Sequence, residues 1–439
     1  MTHPIARLAV PAFFTLIAEP LFLLTDSVVV GRLGTSALAA LGAASAILLT
    51  ATGIFVFLAY ATTAVVARHL GRGHQDDAVQ AGLDGVWLAL ALGLPLSAVT
   101  AVLARPAARA MSGSGGADVV DQATTYLQIS SVGIPAMLIA LAAQGLLRGL
   151  QDTKTPLWVT GIGFAVNAAL NAFLVLVVGW GLAGAAVGTV VAQWLMALAL
   201  LVSIVRRTRH LDLRPHPARV LAAARFGAPL LVRTVALRAV LLLTTAAAGT
   251  FGATTLAAHQ VAMTIFTFLT FALDAIAIAA QALIGELLGR GDHDETRELS
   301  AVITRWGWYS GAAAGLLTLA AAWPLPHLFS DDPSVLRATT GALVVIALVQ
   351  PVAGVLFVLD GVLMGAGDGP FLAKAQVALL LAYLPALGVL MLADEWLEGL
   401  DVAAPLTALW VCYSLYLTAR CVVLDRRRRV DAWMELAVP

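Results

Sequence analysis

The chain has 439 residues, 60% of them hydrophobic and only 12% charged. Soluble domains carry charge on about a quarter of their residues, so a chain this apolar could not cover a water-facing surface, and a soluble enzyme or carrier is excluded. Lys plus Arg and Asp plus Glu balance at 26 each, so bulk charge gives no argument for nucleic acid or an acidic partner.

A helix needs about 20 mostly apolar residues to cross a bilayer. Such stretches fall, in chain order, at 7–31, 37–67, 81–104, 124–147, 157–179, 183–205, 222–249, 255–287, 306–329, 338–365, 372–393 and 401–424. They predict an all-α polytopic membrane protein with twelve transmembrane helices. The first stretch holds Glu19 and Asp26 and is longer than a signal-peptide core, so it reads as a retained span. The second and eighth are long enough to require tilting, bending or protrusion. Cys412 and Cys421 both lie in the last stretch and read as packed thiols, not as a disulfide framework.

Basic residues are sorted by loop. One side holds only Arg32, Arg105, Arg109 and Arg337, while Arg233 and Arg238 fall inside span seven. All other Lys and Arg residues lie on the opposite side, including Arg206, Arg207 and Arg209 after span six and Arg420 and Arg426 to Arg429 at the end. Both termini and the central linker are therefore expected in the cytoplasm of a multi-pass inner-membrane protein.

The halves repeat. Gly31-Arg-Leu-Gly34 matches Gly249-Thr-Phe-Gly252, and Leu70-Gly-Arg-Gly73 matches Leu288-Gly-Arg-Gly291, both at an offset of 218. Gly181-Leu182 matches Gly399-Leu400 at the same offset, and Gly145-x-x-x-Gly149 with Asp152 matches Gly361-x-x-x-Gly365 with Asp368 at 216. Six spans per half is an even number, so both halves run in the same direction as a parallel repeat. The expected organisation is an N-terminal six-helix lobe at 1–205, a linker at 206–221, a C-terminal six-helix lobe at 222–425 and a basic cytoplasmic tail at 426–439. Binding sites in repeat transporters lie where repeats meet, which favours transport over a scaffold role.

Ionisable groups at membrane depth are expensive and mark function by default. Glu19 and Asp26, seven residues apart, share one face of span one, about 10 Å apart along the axis. Burial and mutual repulsion disfavour their charged forms, so the pair suits proton exchange, with Asp26 the principal group and Glu19 its helper. Asn167 and Asn171 share a face of span five. In the second half Arg233, Arg238, Asp274 and Asp360 sum to zero charge; they read either as ion pairs holding helices together or as a second ligand or ion site. Glu286 can snorkel to Arg290, and His259 reads as a hydrogen-bonded packing residue. No P-loop, H-E-x-x-H or G-x-S-x-G motif is present, so the chain is not expected to be an enzyme. No metal site or cofactor is expected either, and energy must come from an ion gradient or from the solute itself.

The stretch with Pro11, Glu19, Pro20, Thr25-Asp26-Ser27 and Gly31-Arg32-Leu33-Gly34 resembles the multidrug and toxic-compound extrusion transporters, and most of all the subgroup named for the DNA-damage-inducible protein F. Ala258-His259-Gln260-Val261, the run from Asp274 to Gly285, and Asp360-Gly-Val-Leu-Met-Gly365-Ala-Gly-Asp368 extend the resemblance over essentially the whole chain. It implies two pseudo-symmetric six-helix lobes around a central cleft, and antiport of H+ or Na+ against a drug-like solute. It assigns coupling to Asp26. The family's span-five acid lies four residues after an Asn; here that position is Asn171, an amide, which makes a Na+ site less apt than a proton site.

The expected activity is thus proton-coupled export of small amphiphilic organic compounds by a monomer embedded in membrane lipid, without nucleic acid. A flippase for lipid-linked oligosaccharide precursors is the alternative within transport, disfavoured by the acidic first span. A non-transporting integral membrane protein is the alternative outside it.

Overall fold

The structure is a computed structural model. It describes residues 2–112, 116–207, 212–393, 396–397 and 399–436, with the side chains of 2–3, 19–24 and 112 excepted. All regular secondary structure among the described residues is helical, with no strand. Lipid leaves no other partner for backbone N–H and C=O groups, so each span must satisfy its own.

The helices are α1 (Thr2–Gly31), α2 (Thr35–Gly53), α3 (Phe57–Gly71), α4 (Gln75–Ser112), α5 (Ala117–Ser131), α6 (Ile134–Gly149), α7 (Lys154–Ala172) and α8 (Gly181–Val205), then α9 (Pro217–Thr250), α10 (Ala253–Arg290), α11 (His293–Ala321), α12 (Pro333–Gly365), α13 (Gly369–Leu392) and α14 (Ala404–Arg428). Among the described residues nine helical segments are long and apolar enough to cross a membrane, and α5–α6, bent by 48°, makes a tenth. With α1 and α11 they give the twelve segments expected. The overlong second span breaks into α2 and α3 around a 3-10 turn at Ile54–Val56, whereas the overlong eighth, α10, runs 38 residues unbroken.

The chain forms two compact units, 10–228 and 1–9 with 229–438. The division falls between Ala228 and Pro229, inside α9, which begins at Pro217. The basic tail is not free. α14 continues to Arg428, Trp433 is buried with its indole N–H donating to the Arg428 carbonyl at 2.8 Å, and Arg297 binds Asp431 at 2.7 Å.

Each unit shows the repeat in its own packing. In the first, Gly145 on α6 presses against Ala59 of α3 and Gly149 against Val66 and Thr63; a Cβ at Gly145 would lie 2.4 Å from the Ala59 carbonyl oxygen. In the second, Gly361 and Gly365 on α12 press against Ala277 and Gln281 of α10, where the corresponding distance is 2.3 Å. Ala59 and Ala277, and Thr63 and Gln281, keep the 218 offset, and the glycines the 216 offset. Small residues let helix backbones approach where lipid supplies no drive for association. Turns repeat as well: Gly34 and Gly252 have φ of 118° and 96°, and Gly73 and Gly291 have 81° and 75°. The two GxxxG helices are followed by the same left-handed residue, Gln151 at φ 60° and Gly367 at φ 80°. Each then ends in a clamp: Asp152 pairs with Arg207, and Asp368 with Arg427.

Candidate functional site

The first unit buries a polar ladder. On α7 the buried positions are Pro156, Thr160, Gly163, Asn167 and Asn171, spaced three or four apart and hence on one face. On α1, Asp26 and Val30, one turn apart, are buried while Thr25, Ser27 and Val28 are exposed. Asn171 Nδ2 donates to Asp26 Oδ1 at 2.6 Å and to Asn167 Oδ1 at 3.0 Å. Asn167 Nδ2 donates to Thr189 Oγ1 at 3.1 Å, and the Thr189 hydroxyl donates to the Ala185 carbonyl on α8 at 2.9 Å. All hydrogens thus run away from Asn171 in two directions, one arm ending on a carboxylate and the other on a helix backbone.

Gly188 makes room for this arrangement, since a Cβ there would lie 2.1 Å from Asn171 Oδ1. That oxygen is buried without a hydrogen-bond partner. Directly after Asn171 the helix widens into a π turn at Phe173–Val177, with Val178 N–H donating to the Phe173 carbonyl at 3.0 Å. Single π turns recur at functional sites because they displace a helix face without breaking it. Beside the ladder Tyr126, Leu127, Val175 and Leu182 build an apolar core around Val30. Glu19, the expected partner of Asp26, lies outside the residues whose side chains are described.

In the second unit Arg233 on α9 grips Asp360 on α12 with two hydrogen bonds, Nε to Oδ1 at 3.3 Å and Nη2 to Oδ2 at 2.5 Å. Arg420 on α14 donates to the same Oδ2. All three side chains are buried, and the fork geometry offsets the desolvation that burial imposes. Arg420 was expected in the cytoplasm with the Arg426 cluster. It lies two turns inside α14, on the face that also carries Trp410, Tyr413 and Tyr416, and that 3–4 spacing was the available signal. Arg238, five residues after Arg233, is exposed, and Asp274 is half-buried on α10. Glu286 pairs with Arg290 one turn on.

Above the arginines a column of rings continues along α14. Tyr416 accepts from Gln376 Nε2 at 2.6 Å and stacks on Tyr413 at 5.7 Å, Tyr383 shares a hydrogen bond with Thr244 at 2.8 Å, and Trp410 packs on Phe266 and His259. His259 is fully buried and bonded to Thr245 at 3.2 Å, a packing residue. Thr189, Gly188 and the tyrosines carried no motif in the sequence; they are recognisable only once α8 and α14 are placed.

The family model described as MatE matches residues 11–173 and 229–389. The chain is 30% identical over 439 residues to "Protein DETOXIFICATION 44, chloroplastic" of Arabidopsis thaliana, covering 95% of this chain and 80% of that one. It is 27% identical over 403 residues to "DNA damage-inducible protein F" of Escherichia coli, covering 87% of this chain and 86% of the relative. The fold matches that of the Vibrio cholerae MATE transporter VcmN in its bent form, with a TM-score of 0.87 at 19% identity over 98% of each chain. A transporter of the MOP superfamily from Pyrococcus furiosus has the same fold, with a TM-score of 0.86 at 18% identity over 99% of this chain and 96% of that one.

Proposed function

Because the chain belongs to the MatE family of multidrug and toxic-compound efflux transporters, we propose that it exports small amphiphilic organic compounds from the cytoplasm in exchange for protons. It works as a monomer in the cytoplasmic membrane, with both termini inside. The observation that carries this reading is the buried hydrogen bond from Asn171 to Asp26.

As a carboxylate, Asp26 accepts the Asn171 amide hydrogen. Protonation turns one carboxyl oxygen into a donor, which needs an acceptor in a site that excludes water. Asn171 Oδ1, buried without a partner, is that acceptor once the amide turns over. The turn also withdraws Nδ2 from Asn167, so the change passes to Thr189 and α8. The π turn that follows Asn171 gives α7 a place to move. A cationic solute and the proton then compete for one negative charge, and by linkage each promotes release of the other. With an amide at 171, Asp26 is the one carboxyl among the described ladder residues, and an amide pair is a poor cage for Na+.

The test is flux in proteoliposomes with the H+ and Na+ gradients set independently, using cationic, neutral and anionic solutes. Export driven by an inward H+ gradient and lost in Asp26→Asn supports the reading. Export that follows Na+ alone, or that persists at the parent rate in Asp26→Asn, overturns it.

A further inference from the structure

The first unit also holds an acidic cavity, lined by residues other than those of the ladder. It measures about 260 Å3 and lies between α3, α4 and the first turns of α9. Leu58, Ala61, Val65, Leu88, Ala223 and Phe226 give it apolar walls. Asp84 lies on its wall, and its side chain is only 8% exposed. One Asp84 oxygen, Oδ1, has no hydrogen-bond partner, and the other, Oδ2, is 3.8 Å from Arg219 Nε, too far for a hydrogen bond. Gln80 is the hydrogen-bonding side chain beside it, and since a buried carboxylate ordinarily collects several donors, this one is under-satisfied.

Arg219 is not committed to it. Its Nη2 lies 3.9 Å from Asp212 Oδ2, and its side chain is 42% exposed. Asp212 in turn is held by His216 at 2.6 Å and tied to α4 by a reciprocal pair of 3.1 Å hydrogen bonds with Gln80. The other ionisable groups on the lining are Asp77, which faces His74 at 3.5 Å, and His69.

We propose that this cavity is a binding site for a small arylalkyl ammonium compound, with the ammonium on Asp84 and the ring against Phe226 and the apolar walls. Arg219 acts as a latch: the arriving cation replaces it at Asp84 while the guanidinium keeps Asp212, so the cluster of two carboxylates and one guanidinium goes from a net charge of −1 to neutral on binding. Apolar walls with a few placed polar groups are the usual construction of a small-molecule site, and the volume suits a compact amine over a large drug. As a loading site for export from the cytoplasm it rests on the proposed function; as a binding site it rests on this geometry alone.

Three probes of one shape and different charge test it: phenethylamine, 2-phenylethanol and phenylacetate, in equilibrium binding to the purified full-length chain near neutral pH. Phenethylamine should bind, and its alcohol and acid counterparts should bind about tenfold more weakly or not at all. Asp84→Asn should cut phenethylamine affinity about tenfold or more, and Arg219→Gln should raise it several-fold by removing the competing cation. Ala223→Phe, which fills the cavity without touching charge, should abolish binding and covers the case in which Asp84→Asn does not fold. The binding arms need no gradient and no transport, so the pocket and the coupling mechanism fail separately. No phenethylamine binding by the parent chain, or binding indifferent to both Asp84→Asn and Ala223→Phe, overturns the proposal.

Discussion

Asn171 and Asp26, 145 residues apart in sequence, meet through a 2.6 Å amide–carboxylate hydrogen bond in the buried interior of the first unit. The bond ties α7 to α1 and makes the charge state of Asp26 a determinant of how α7 is held. Asp26→Asn should therefore remove proton-driven export by at least about tenfold while leaving the protein folded, because an amide can keep one hydrogen bond to Asn171 but cannot cycle a proton. Asn171→Leu should weaken both, with a stability loss of about 1–3 kcal/mol for a buried polar group left unmatched. Paired flux and thermal-unfolding measurements separate the two effects.

Gly188→Ala tests the ladder without changing any polar group. The new methyl would stand 2.1 Å from Asn171 Oδ1, so the amide must move away from Asp26. The expected outcome is an altered pH dependence of transport with Asp26 intact. An unchanged profile shows that Asn171 does not govern the carboxyl.

Asp360 is the shared partner of Arg233 and Arg420. Replacing it with Asn removes the carboxylate that two buried guanidinium groups share, and Arg does not shed its proton to escape. A loss of about 3–5 kcal/mol is expected, the range for breaking a buried ion pair by removing one member. Thermal unfolding in detergent should show it, and it should be several times larger than the effect of removing the more exposed Asp431 from Arg297.

The clamp at Asp152 predicts a pH signature. Partial burial raises its pKa, but hydrogen bonds from the Thr155 side chain and backbone and from Arg207 outweigh it, and the net shift is downward. A depressed folded-state pKa means that the stabilisation is fully present above the unfolded value, about 3.9, and is lost as pH falls through the folded one. Asp152→Asn should thus lower the melting temperature at pH 7, and the difference from the parent should shrink in acid below about pH 4.

Gly145→Ala and Gly361→Ala should cost each unit a similar amount, about 1–3 kcal/mol for overpacking a tight contact. Both place a methyl against a helix carbonyl at nearly the same distance, 2.4 and 2.3 Å. A marked difference between the two would show that the repeated spacing is not a repeated load.

The span count, the 218 offset and the presence of a carboxyl at Asp26 in the first span were legible in the chain itself. Hydropathy and backbone satisfaction are local demands that lipid makes on each segment separately, so sequence records them directly. Loop glycines that need left-handed backbone, such as Gly34 and Gly252, mark the repeat for the same reason. What the tertiary structure decided is which side chains meet. Arg420 reads as a cytoplasmic residue by its place beside Arg426, yet α14 carries it inward by two turns to share Asp360. Thr189 becomes the end of a hydrogen-bond ladder only because Gly188 lets α8 come close to Asn171. Asp84 looks like any acid near the end of a span until α9 closes a cavity over it. Partner choice depends on the rotation and separation of helices, which small residues set across distances of many turns, and no window along one segment contains that information.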